Sequence, residues 1–87
     1  MSLTQTFSAL SEPNRRHILD MLKKKEMFVS EMLAQMQVTM PTLSHHLDIL
    51  KRADLVAARR EGQQIIYSLN LSVLEDITEK IIKYLKK

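Results

Sequence analysis

Ser44, His45, His46 and Asp48 crowd into the stretch TMPTLSHHLDILKRA, residues 39–53, and their side chains are those of nucleophiles, bases and metal ligands. Their spacing argues against both chemistries. Neighbours on a helix point about 100° apart, so His45 and His46 cannot share one ion as an i, i+4 pair could. Ser44, His45 and Asp48 likewise cannot place a base between a nucleophile and its orienting acid. What the spacing does produce is a helix with two unlike faces. Leu43, Leu47 and Leu50 recur at i, i+4 and i+7 and form an inward stripe, while Pro41, Ser44, His45, Asp48 and Arg52 fall opposite. Such a face offers hydrogen-bonding groups to base edges near its start, and cations, Lys51 and Arg52, to phosphates further on. An amphipathic surface helix with no ligand has the same pattern. Thr39 as N-cap and Pro41 in the first turn mark where the helix begins. His46 lies beside the leucines and is expected to be partly buried and bonded. Met27, Met32 and Met36 read as core filling, and only Met40 is placed for contact outside.

The whole chain limits what this helix can serve. Its 87 residues make one domain, residues 1–87, and a chain of that size buries only about 60–65% of its unfolded surface, so a second copy would help it. Lys and Arg number 13 against 10 Asp and Glu, a net charge of +3 that suits a polyanion without requiring one. There is no cysteine, hence no disulfide, thiolate metal site or cysteine nucleophile. No apolar run reaches membrane length and MSLTQTFSAL lacks a signal-peptide pattern, so a cytoplasmic protein is expected. A single glycine, Gly62, argues against phosphate-cradling loops. No cofactor and no enzyme chemistry are expected.

Taken in order, Leu3, Phe7 and Leu10 are spaced for a short first helix ending near Ser11, oily enough to need a partner surface. Pro13 opens a second helix with Ile18, Leu19 and Leu22 inward and Lys23, Lys24 and Lys25 at its end. Arg15 and Arg16 sit in its first turn, and a partner for one of them is expected, either Glu12 or another carboxylate or, as the alternative, a phosphate. VSEMLAQM then forms about two turns with Met32, Leu33 and Met36 inward. Gln37 and Val38 lead into Thr39, a turn of about three residues, and the order becomes helix-turn-helix. Two β-prone runs follow, Leu55–Arg60 and Gln63–Leu69, with Glu61 and Gly62 as the turn. Val56 and Ala58 should then share a face with Ile65, Tyr67 and Leu69. Arg59, Arg60, Gln63 and Gln64 lie around the tip, as in a loop laid along a phosphate backbone, although charged tips also keep hairpins soluble. The last helix, about Ser72 to Lys86, holds Val73, Leu74, Ile77, Ile81, Ile82, Tyr84 and Leu85, an apolar arc too wide for one contact. A two-fold dimer built from the first and last helices is expected, through Leu3, Phe7, Leu74, Ile77, Ile81, Tyr84 and Leu85.

SEPNRRHILDML, followed by MPTLSHHLDILKRADLVAARREGQQIIYSLN, resembles the ArsR-type winged helix-turn-helix repressors of bacteria and archaea across nearly the whole chain. The pattern that marks that family's recognition helix and wing falls on Leu43 to Val56 and Arg60 to Leu69. The resemblance implies a mainly α fold with a β-hairpin, in the order α-α-α-α-β-β-α. It also implies a homodimer that represses transcription from an inverted-repeat operator in double-stranded DNA. By matching position, Met40, Pro41, Thr42, Ser44 and His45 would approach base edges, and Arg59, Arg60 and Gln63 would reach phosphates or the minor groove.

Departures from the family pattern bear on control. Many members sense metals through cysteines in the third helix or Asp and His ligands in the last. Here Val29, Ser30, Glu31 and Met32 stand where the cysteine motif would sit, and no histidine follows His46. Asp76 and Glu79, at i and i+3, read better as a solvated face than as a cation site. No metal is expected, and the resemblance to short cysteine-free members implies control by a protein partner or by the protein's own promoter. The competing readings are a winged-helix module that binds only proteins, and a metal-responsive repressor with non-cysteine ligands.

Overall fold

The computed structural model describes residues 2–86, so the outermost residues of the 1–87 span lie outside the described part. The elements are α1 (Leu3–Leu10), α2 (Pro13–Lys24), β1 (Met27–Phe28), α3 (Val29–Ala34), α4 (Met40–Arg52), β2 (Val56–Glu61), β3 (Gln64–Leu69) and α5 (Leu71–Leu85). Three of the helix starts, those of α1, α2 and α4, follow from side chains that take up otherwise unpaired backbone N–H groups. Ser2 accepts from Gln5, Glu12 from Arg15 and Thr39 from Thr42, and Pro13 occupies the first turn of α2.

One element is new. Met27 and Phe28 pair with Tyr67 and Ile66, adding an edge strand to the hairpin and giving an antiparallel sheet in the order β1-β3-β2. A strand of two residues has no periodicity to read in a sequence. α3 stops at Ala34, so the link to α4, residues 35–39, is longer than the expected turn, and the buried Met36 lies in that link.

The β2–β3 turn falls on Gly62 and Gln63, one residue beyond the expected pair. Gly62 has φ 62°, and Gln63 is not among the residues of positive φ, the pattern of a type II′ turn. The expected face nevertheless stands, because moving a two-residue turn by one position shifts the pairing by two and leaves every side chain on its side. Val56, Ala58 and Arg60 lie opposite Leu69, Tyr67 and Ile65.

The core gathers Ile18, Met21 and Leu22 of α2, Met32 of α3, Leu43, Leu47 and Leu50 of α4, and Leu55, Val56 and Ile77 around them. Met21 takes an inner place expected of Leu19, which is only partly buried. In α1 the buried residues are Thr6 and Ala9, Leu10 packs against the core and Leu3 is partly buried, whereas Phe7 is 48% exposed and turned away from the chain's own core. In α5 only Ile77 is buried, and Ile81, Ile82, Tyr84 and Leu85 are exposed. Among the described residues no helix is long and apolar enough to cross a membrane. Two helices joined by a short link and flanked by a hairpin make this a winged helix-turn-helix.

Candidate nucleic-acid interface

Three anchors position α4. Leu43, Leu47 and Leu50 are at most 2% exposed and seat its inner face. Its C-terminus closes in a Schellman motif: Leu55 N–H donates to Leu50 and Asp54 N–H to Lys51, with Asp54 left-handed at φ 60°. The third anchor is His46, 7% exposed, as its place beside the leucines implied. Arg15 Nη1 lies 3.2 Å from His46 Nδ1, and Glu12 Oε2 lies 3.7 Å from Nε2.

Arg15 does not make the expected carboxylate pair. Its Nε donates to the Ala9 carbonyl at 2.7 Å and its Nη2 to that of Ser8, while Arg16 Nη1 donates to Leu10. Both guanidinium groups therefore cap the C-terminus of α1, where unpaired carbonyls and the helix dipole favour cations. Through Arg15 the end of α1, the start of α2 and the middle of α4 share one buried polar network.

The outer face of α4 presents Met40, Pro41, Thr42, Ser44 and His45, all exposed. Thr42 Oγ1 accepts from Thr39 at 3.0 Å and keeps its own hydrogen to give. Ser44 and His45 make no side-chain hydrogen bond among the described residues, which leaves both free to meet a ligand. Arg52 is placed differently. It stands at the far end of the helix, about 18 Å from Met40 along the axis, and is paired with Asp48 at 2.7 Å.

On the hairpin, Arg60 and Gln63 are exposed, and Arg60 forms no ion pair among the described residues. Arg59 is not the free cation its position in the sequence suggests. Its Nη1 and Nη2 donate to the two oxygens of Glu26 at 2.7 and 2.8 Å, and its Nε donates to Glu61 at 2.9 Å. Hydrogen bonding from Arg59 holds the Glu26 carboxyl below its ordinary pKa. In cross-strand register Arg59, Ile66 and Phe28 stand side by side, so the Arg59–Glu26 bridge runs across β3 over Ile66. That roof explains why Ile66 is 7% exposed on the sheet face away from the main core. Ser30, at the start of α3, donates to Gln64 Oε1 at 3.4 Å and ties helix to hairpin. Burial, with the Asp48 charge adding to it, pushes the Tyr67 phenol up and keeps it neutral. Glu26 was not singled out by the sequence. Nothing in the chain signals that it lies beside a residue 33 positions away.

Residues 10–59 match the family described as a helix-turn-helix domain. The transcriptional repressor SdpR of Bacillus subtilis is 39% identical over 98% of this chain and 94% of its own length. An arsenical resistance operon repressor of Staphylococcus aureus is 35% identical over 91% of this chain and 76% of its own. The solved structure of an ArsR-like transcriptional regulator from Rhodococcus superposes with a TM-score of 0.88 at 24% identity, covering 94% of this chain and 75% of that one, and speaks for the fold alone. The chain belongs to the ArsR family of winged helix-turn-helix transcriptional regulators. That family is one of regulators, not of enzymes.

Proposed function

We propose that this protein is a DNA-binding repressor that works as a homodimer on an inverted-repeat operator. In this reading α4 enters the major groove and the β2–β3 hairpin lies along the backbone. The observation that carries it is the outer face of α4: Ser44 and His45 stand exposed and unbonded on a helix whose opposite face, caps and central histidine are all fixed. Rigid placement of groups that have no internal task is what base readout demands. Relatives named as repressors support the regulatory sense.

The dimer reading rests on the apolar surface the fold leaves uncovered, Phe7 on α1 and Ile81, Ile82, Tyr84 and Leu85 on α5. Charge gives the pairing a direction. Along α5 Glu75, Asp76 and Glu79 come before Lys80, Lys83 and the C-cap Lys86, so two antiparallel copies set each acidic stretch against a basic one. A protein partner that lifts repression belongs to the same reading.

The test is a gel shift on duplex DNA from the region upstream of the protein's own gene, with unrelated duplex as competitor. A repressor gives a complex that resists the competitor. A complex that competitor removes as readily as it removes any other would reject operator recognition and favour the protein-docking alternative.

A further inference from the structure

We propose that Glu26 is a specificity-determining residue: it occupies the Arg59 guanidinium in the unbound protein, so the wing meets a phosphate there only by exchanging one anion for another. The inference rests on the DNA-binding reading above and goes beyond it to a residue outside both α4 and the hairpin. All three donor nitrogens of Arg59 are bonded to carboxylates, two of them in the parallel fork that a phosphate would also accept. The side chains of Arg59, Glu26 and Glu61 are about half exposed, so an incoming phosphate has access to the pair. Their charges, taken with Arg60, cancel. The wing therefore projects little net positive field, and its pull on an arbitrary duplex is weak.

Exposed ion pairs are worth little, so a phosphate held in register by a seated α4 can displace Glu26. On a duplex where α4 is not seated, no phosphate is held there and the bridge stays closed. Glu26 in this way restrains binding to DNA at large. The Glu26 carboxyl titrates below its ordinary value, so the restraint is in force at any neutral pH.

The experiment is a double-mutant cycle on Glu26→Gln and Arg59→Ala, read by fluorescence anisotropy with a labelled duplex of random sequence across about 50 to 200 mM salt. E26Q should bind about two- to fivefold tighter at the lowest salt, with a log–log salt slope steeper by about 0.9. R59A should itself weaken binding, because it leaves Glu26 and Glu61 against Arg60 alone, and the gain from E26Q should be markedly smaller in the R59A background than in the wild type. Glu61→Gln, which frees only Nε, should give a smaller gain. An E26Q protein that binds no more tightly than wild type, or a gain undiminished in the R59A background, overturns the proposal and leaves Glu26 as a strap across the sheet. A wild-type protein that binds neither this duplex nor its own upstream region overturns the DNA-binding reading itself, and this inference with it.

Discussion

Arg15 can only donate, so the His46 nitrogen it faces must be unprotonated while their bond stands, and the ring carries its hydrogen on Nε2 toward Glu12. Burial is the main cause that lowers the His46 pKa, and the charges of Arg15 and His45 add to it against the opposing pull of Glu12. In the unfolded chain the same imidazole titrates near 6.5, so below that pH the unfolded state takes up a proton that the folded state resists. The stability due to neutral His46 is complete above about pH 6.5 and is lost as pH falls through the window beneath it. Thermal unfolding should show a melting temperature that drops as the pH is lowered below about 6.5, and His46→Gln, which still offers Arg15 an acceptor, should flatten the drop. An undiminished slope in H46Q would refute this role. His46→Ala, by leaving a buried guanidinium N–H without an acceptor, should cost about 1–3 kcal/mol by denaturant unfolding. The burial of His46 was legible because it follows from its distance to Leu43 and Leu50 on one helix. The partners of Arg15 were not, since backbone carbonyls have no signature in side-chain identity.

At the scale of elements, periodicity and caps made the helices and the hairpin legible, and backbone geometry decided the rest. α4 ends where Asp54 turns left-handed, a conformation that glycine adopts without strain and that aspartate adopts at a cost. Asp54→Gly should raise stability by about 0.5–1 kcal/mol, a gain of a few degrees in melting temperature, with α4 unmoved. A loss of stability would show that the Asp54 side chain contributes more than its backbone strain costs. Gly62 placed the turn of the hairpin to within one residue, because a type II′ turn wants glycine first and the spacing of the flanking runs had set it second. β1 escaped notice for a different reason. Its two residues owe their strand conformation to pairing with β3, a contact some 40 positions away.

For the whole molecule, the sequence showed more apolar surface than 87 residues could bury, and the fold shows where the surplus lies. Apart from Met40, Ile65 and Leu71, its large side chains are Phe7 of α1 and those on the last two turns of α5, surfaces that one copy leaves bare. Ile81→Asp should leave the monomer folded, since Ile81 is 38% exposed, and should shift sedimentation toward single subunits and lower apparent operator affinity together. Raised salt should weaken self-association of the wild type if acidic and basic halves of α5 face each other across the two-fold axis. An I81D variant that sediments as a dimer as readily as the wild type would place the interface elsewhere.

In the proposed function a two-fold pair of α4 helices reads DNA through Ser44, His45 and their neighbours. Sequence selection from a pool of random duplexes tests it most directly. The expected result is enrichment of an inverted repeat whose half-site centres lie one helical turn, about 34 Å, apart, with the repeat lost for the combined Ser44→Ala, His45→Ala variant. Enrichment of no sequence, or of a single unrepeated site by the dimer, would contradict it.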